Sequence, residues 1–391
     1  MLEMDAEQRE HQPIEDHEHE DREPPALHIL FVSDSIREPL TGVGRTALAW
    51  MRELVELGAQ ITALDHEPNP TAESVCGKCL VQPIRGRWLP TARWHLSLLR
   101  RIEGLGVEHD VLFDPTGYPN AWGHHRRQAV VAHDLSMFSR NYYRRGKRWW
   151  FRLFYGRALR KAQLCVCVSE HTRRELLGRF DLPPSRCVVV PNCVDPAFAR
   201  GLAQSTADRA GSPPYFLAVG TIENRKNTGR LLEAFAAAQV PHRLVLAGRP
   251  GHGGEEILAQ AASLGERILV AGDVEDAELF GLYKGATALL FPSLEEGFGI
   301  PILEAMQAGI PVLTSNVSAM PEVAGDAALL VDPLDVNAIQ KAIERLAGDA
   351  DLRTDLVRRG AKRLAAFDIR TNAEALLGHL RRLSGTGSEK R

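Results

Sequence analysis

Short apolar runs alternate with helical stretches twice over, from residue 27 to 194 and again from 215 to 331. No other feature constrains the fold as tightly. Strands separated by helix-length segments pair in parallel and need helices on both faces of the sheet. The alternation therefore predicts an α/β protein with two parallel-sheet domains. Leu27-His-Ile-Leu-Phe-Val32 and Ala288-Leu-Leu-Phe291 are short, apolar and followed by a break, as buried parallel strands are. In the second half, strands are expected at 215–219, 243–247, 267–270, 287–291, 310–313 and 328–331, and a helix at 278–285. Residues 196–214 are rich in Ala, Gly and Ser, end in Ser-Pro-Pro and show no apolar periodicity, so a linker is expected there. The domains then span 26–195 and 215–369, followed by a helix at 370–383 and a frayed tail at 384–391.

One segment carries the chemistry. Phe291-Pro-Ser-Leu-Glu-Glu-Gly-Phe-Gly-Ile-Pro-Ile-Leu-Glu304 sets two carboxylates, Glu296 and Glu304, with seven residues between them. A strand ends at Phe291, Gly297 and Gly299 allow a tight turn, and Pro301 suits the first turn of a helix. A helix N-terminus at the carboxyl edge of a sheet attracts phosphate, through its free N–H groups and its dipole. Both carboxylates are expected to face the open cleft, one on each side of that phosphate. A nucleotide-sugar has the matching shape: sugar, diphosphate, ribose.

A second element is Phe216-Leu-Ala-Val-Gly220-Thr-Ile-Glu-Asn-Arg225-Lys226-Asn227. Again a strand ends at a glycine and a helix follows, with two adjacent cations in the connection. Taken without their context, Arg225 and Lys226 read as well as a solvated basic loop.

Together these elements resemble the donor site of the retaining glycosyltransferases of family 4, which have the GT-B fold. The resemblance covers nearly the whole chain after residue 26. It implies two Rossmann-like domains facing a cleft, donor in the second and acceptor in the first, with the last helix crossing back to the first. Glu296 is then expected to hold hydroxyls of the donor sugar and Glu304 the ribose. Arg225 and Lys226 would bind the diphosphate, with Gly220, Gly297, Phe298, Gly299 and Ile300 around them. His133, in Val130-Val-Ala-His133-Asp134, matches the family histidine that contacts the transferred sugar, and Gly42 and Gly44 match its Gly-x-Gly turn. The chain departs from the common pattern at Thr221, where an arginine is usual, and at Cys193, where Gly usually follows Pro-Asn. Arg225 beside Lys226 substitutes, as in an Arg-Lys-Asn branch that holds many mannosyltransferases; this tilts the donor towards GDP-mannose over UDP-sugars. The cations stand where other transferases use a divalent metal, so no metal and no cofactor are expected. Three rivals remain: a retaining glycosidase, a nucleotide-sugar epimerase of the same fold, and an inactive nucleotide-sugar-binding scaffold.

Composition bounds the rest. No stretch approaches the ~20 apolar residues of a membrane span. Residues 1–25 hold ten acidic residues against two arginines, so a disordered tail is expected there. That segment carries −8 of a total of −3, which leaves the rest of the chain at +5. Cys76-Gly-Lys-Cys79 has zinc or redox spacing but lacks a second ligand pair. Residues 140–161 contain nine basic and seven aromatic residues and no acid, the composition of an element that meets an anionic membrane surface. Its structural alternative is a solvated helix whose aromatics dock on the domain. A glycan or lipid-linked acceptor, no nucleic acid, and a cytoplasmic place at the inner face of the membrane follow from this reading.

Overall fold

The computed structural model describes residues 26–385, apart from 39, 84–93, 95, 96, 99–101, 103, 118–124, 126, 139–153 and 206–212. The expected acidic tail and most of the basic-aromatic stretch lie outside the described residues.

Two fully parallel sheets organise the chain. The first holds β1 (His28–Val32), β2 (Gln60–Asp65), β3 (Cys79–Val81), β4 (Val111–Asp114), β5 (Gln128–Ala132), β6 (Leu164–Cys167) and β7 (Cys187–Val189), in the order β3-β2-β1-β4-β5-β6-β7. The second holds β8 (Tyr215–Val219), β9 (Arg243–Ala247), β10 (Ile268–Gly272), β11 (Ala288–Phe291), β12 (Val312–Ser315) and β13 (Leu329–Val331), in the order β10-β9-β8-β11-β12-β13. In both sheets the order turns back beside the first strand, and ligands of such sheets bind outside the strand ends at that point. The central strands are buried along their whole length, which explains their unbroken apolar sequence. The expected strands at 267–270 and 310–313 run one to two residues later than the sequence placed them.

Nine helices matter for the site: α1 (Gly42–Glu56), α2 (Glu170–Arg179), α3 (Pro196–Gln204), α4 (Thr228–Ala237), α5 (Asp276–Gly285), α6 (Ile300–Gln307), α7 (Met320–Ala324), α8 (Ala350–Leu364) and α9 (Ile369–Ser384). The expected linker therefore begins as a helix. The Asp195 side chain accepts from Ala197 N and caps α3, and Phe198 and Leu202 bury its inner face. Phe198 meets Phe280 of α5 edge-on, with centroids 5.2 Å apart. α9 packs along α1, in the first domain. Arg370 lies 3.8 Å from both Glu53 and Glu56, and Asn372 Nδ2 donates to Pro191 O at 3.1 Å. Two helices thus tie the domains together.

Candidate active site

A cavity of about 640 Å³ opens between the carboxyl ends of the two sheets. Its walls include Gly42, His133, Gly220, Arg225, Lys226, Glu296, Gly297, Phe298, Gly299, Ile300 and Glu304. Gly44 is not among them. A Cβ there would sit 2.3 Å from Ser35 O, so Gly44 lets α1 approach the loop after β1. Its constraint is packing rather than contact with the cleft.

The second domain supplies the charged floor. After β8 the chain makes a turn at 224–226 and enters α4 through Asn227, which holds φ 61. Asn227 Nδ2 donates to Pro292 O at 3.0 Å and to Pro333 O at 2.6 Å, stapling this turn beside the end of β11. Arg225 and Lys226 are thereby aimed at Glu296. Arg225 Nη1 donates to Glu296 Oε2 at 2.9 Å, and Lys226 Nζ to Oε1 at 2.6 Å. Lys226 Nζ also stands 4.7 Å above the centre of the Phe291 ring. Arg225 is fixed further by Glu223 Oε1 at 3.0 Å and Glu295 O at 2.9 Å.

Glu296 and Glu304 are each 8% exposed. The sequence reading placed both in solvent; they lie instead in the cavity floor, already partnered. Burial works against charge on Glu296, but Lys226 and Arg225 outweigh it and bring its pKa down to about 2. Burial also works against charge on Arg225, and Glu296, Asp134 and Glu223 more than compensate, so its pKa stands above the ordinary value. Glu304 is held differently. Tyr283, fully buried, donates to its Oε2 at 2.6 Å. Burial raises the Glu304 pKa, and Tyr283 and Arg45 offset only part of that.

The α6 N-terminus opens on the same space. Gly299 precedes it with φ 107, Pro301 lies in its first turn, and no side chain caps it. Residues 298–301 all line the cavity, so the positive end of the helix dipole faces whatever anion enters; Pro301 brings no N–H and Ile302 N donates to Gly299 O at 3.0 Å, so the N–H left for the anion at the start of the helix is that of Ile300.

His133 comes from the facing domain. Its Nε2 lies 2.7 Å from Pro115 O. A carbonyl only accepts, so Nε2 carries the proton and Nδ1 is an acceptor. Burial lowers the His133 pKa, which keeps the ring neutral near pH 7. The domains are in contact here. A Cβ on Gly297 would fall 1.6 Å from His133 O. Replacing Gly297 with alanine should therefore wedge the cleft open by an ångström or more. If the chain is the transferase that its sequence resembles, transfer should fall about 100-fold, as displacements of that size cost, while nucleotide binding to the second domain persists. Steady-state rates and calorimetric titration of Gly297→Ala with the product nucleotide check this pair of outcomes.

Sequence reasoning missed two groups. Arg45 of α1 reaches across the cleft to Asp276 in the first turn of α5, its Nη1 donating to Oδ2 at 3.0 Å. Arg45 was visible behind the Gly-x-Gly turn, but its partner stands 231 residues away. Tyr283 could have been found from the rule that a buried tyrosine hydroxyl needs a partner. Among the described residues, no group of three or more His, Cys, Asp and Glu side chains is placed to hold a metal ion.

This geometry has known relatives. Residues 40–198 match the family model described as Glycosyltransferase Family 4, and residues 204–363 that described as glycosyl transferases group 1. The chain is 32% identical over 370 residues to O-antigen chain mannosyltransferase B of Escherichia coli, covering 87% of this chain and 96% of that protein. It is 30% identical over 216 residues to MMP alpha-(1->4)-mannosyltransferase of Mycolicibacterium hassiacum, 51% of each. Among solved structures, sucrose-phosphate synthase from Thermosynechococcus elongatus aligns with a TM-score of 0.72 at 20% identity, over 92% of this chain and 100% of that one. Anabaena HepE in complex with UDP and glucose aligns with a TM-score of 0.67 at 16% identity, over 91% and 100%. These two likenesses show the fold. With its two parallel-sheet domains and the sequence match along both, the chain belongs to glycosyltransferase family 4, the glycosyl transferases group 1, and is a glycosyltransferase of the GT-B fold.

Proposed function

We propose that this enzyme moves mannose from GDP-mannose to a hydroxyl of a growing glycan, with retention of anomeric configuration. One observation carries the reading: Arg225, Lys226 and the uncapped N-terminus of α6 converge on one cavity, with a buried carboxylate beside them. The mannosyl preference draws support from the name of the Escherichia coli relative.

The bond from the anomeric carbon to the diphosphate breaks, and negative charge grows on the departing oxygen. Arg225, Lys226 and the start of α6 are preorganised for that charge, usually the largest catalytic contribution. Glu296 gives up its two cations to the diphosphate as the donor enters and turns to the hydroxyls of the sugar. Glu304, steadied by Tyr283, accepts from the ribose. His133 offers Nδ1 to a sugar hydroxyl. The acceptor oxygen attacks on the face that the diphosphate leaves, and its proton goes to a diphosphate oxygen.

Among the described residues, no helix is long and apolar enough to cross a membrane. The basic-aromatic composition of 140–161 supports work at an anionic membrane surface on a lipid-linked acceptor.

The test is a donor panel of GDP-mannose, UDP-glucose and UDP-GlcNAc, with acceptor-dependent release of nucleotide as the readout. GDP-mannose should be turned over fastest, and turnover should survive EDTA, because two cations and a helix dipole already face the diphosphate. Preference for a UDP-sugar overturns the mannosyl assignment. Consumption of donor without any acceptor favours an epimerase. A loss in EDTA that magnesium reverses shows that the diphosphate charge is met by a metal.

A further inference from the structure

The two domains meet along a polar seam that ends on the loop carrying Glu296. The first domain contributes the N-terminus of α2. Its N–H groups at Glu170 and His171 donate to the two carboxylate oxygens of Glu322, at 2.7 and 3.0 Å. Glu322 lies in the first turn of α7, in the opposite domain. The free N–H groups of a helix start form an anion site. Here the occupant is a carboxylate that belongs to the other half of the cleft.

Further bonds run beside this one. Ser169 Oγ, the cap of α2, donates to Gly297 O at 2.7 Å, and Thr172 Oγ1 does so at 3.1 Å. His171 Nε2 lies 3.2 Å from Ser318 Oγ. Ser318 gives its one proton to Glu296 O at 2.5 Å and accepts from Glu296 N at 3.0 Å. His171 Nε2 must then be the donor to Ser318. Ser318 holds φ 61, a left-handed conformation that costs a serine energy and persists only where its surroundings impose it. Arg363 of α8 donates to the carbonyls of Glu322 and Val323, so α7 is anchored within its own domain. The start of α2 thus touches α7 and Gly297 O directly, and reaches the Glu296 backbone through Ser318.

We propose that Glu322 is a positioning residue for transfer: docked on the α2 N-terminus, it sets the closed arrangement in which Glu296 and His133 stand on opposite sides of the donor sugar. The proposal rests on the reading of Glu296 as a donor-site residue. In an open cleft, Glu322 and the α2 N–H groups face water separately. Their mutual bonds form on closure, so they favour the reacting state over the state that merely holds nucleotide. Losing them should act on kcat more than on nucleotide affinity.

The experiment uses full-length Glu322→Ala and Glu322→Gln, with GDP-mannose as donor, or the UDP-sugar that wild type turns over if it refuses GDP-mannose. In Glu322→Ala, kcat should fall roughly 10- to 100-fold, the range of coupling through a two-state element. The Kd for the product nucleotide should stay near the wild-type value. Glu322→Gln should recover part of kcat, because its amide oxygen still accepts one N–H bond. Small-angle scattering should show wild type contracting with donor and Glu322→Ala contracting less. A folded Glu322→Ala with wild-type kcat overturns the proposal. So does a nucleotide affinity that falls in step with kcat, which marks Glu322 as a residue of the fold only. Glu296→Gln is assayed alongside. If it too keeps full turnover, the donor-site reading has failed; if it is inactive while Glu322→Ala is unimpaired, only the present proposal has failed.

Discussion

Replacing Glu296 with glutamine should cut kcat/KM for transfer about 1,000-fold, at the upper end of what one preorganised polar group contributes, without weakening the binding of GDP. The second half of this expectation follows from the apo geometry. Glu296 holds Arg225 at 2.9 Å and Lys226 at 2.6 Å, and a diphosphate must draw both cations away from it. Glutamine has no charge to compete with, so GDP should bind as tightly or more so. The free protein should be less stable, because removing one partner of a buried ion pair costs about 3–5 kcal/mol. Arg225 keeps Glu223 at 3.0 Å, so the lower end of that range applies. GDP should then raise the melting temperature of the variant more than that of wild type. The sign with pH is fixed by the depressed pKa. The Glu296 contribution to stability is complete above about pH 4.5, declines as pH falls towards 2, and amounts to about 3 kcal/mol. Glu296→Gln should lack that acid-dependent part of the unfolding curve. Calorimetric titration with GDP, steady-state kinetics and melting curves between pH 3 and pH 7 check these outcomes together. Wild-type turnover in the variant sinks the assignment of Glu296.

Removing the cations should be as severe, with the opposite signature. Arg225→Ala and Lys226→Ala should each lower kcat about 100-fold, as losing one group aimed at developing charge does, and each should weaken GDP binding. Loss of binding separates them from Glu296→Gln, which spares it. Arg225→Lys should not restore activity. The guanidinium reaches Glu223, Glu295 O and Glu296 at once, and an ammonium cannot reproduce that fork. If either alanine variant binds GDP with wild-type affinity, that side chain does not meet the diphosphate.

The parts of this molecule that repeat locally could be read from its sequence. A strand that runs through a glycine-bearing turn into a helix appears at Gly220 and again at Gly297, and both glycines fall on the cavity wall. What crosses the chain could not be read. The pairing of Glu296 with residues 70 and 71 positions earlier leaves no periodic trace, so a buried, partnered carboxylate looked like a solvated one. Glu322 on α2 and Arg45 on Asp276 are hidden for the same reason, since only folding brings them together. α3 escaped notice on other grounds. It is nine residues long, begins with proline and has Gly201 inside, all of which mimic a linker. Its signals were the capping Asp195 and the apolar pair Phe198 and Leu202, spaced i,i+4. Gly44 carries a constraint of its own that the sequence did not show. A Gly-x-Gly turn matched a phosphate-facing pattern, yet the second glycine serves the packing of α1 on the loop after β1.

The most direct test of the donor site is a crystal structure of the enzyme with GDP-mannose or an unreactive analogue. The diphosphate should lie at about 3 Å, hydrogen-bond distance, from Lys226 Nζ, the Arg225 guanidinium and the Ile300 N–H of α6. Glu296 should have left both cations for the hydroxyls of the sugar, and Glu304 should bond the ribose. A nucleotide seated away from the start of α6, with Glu296 still paired to Arg225 and Lys226, would contradict the account.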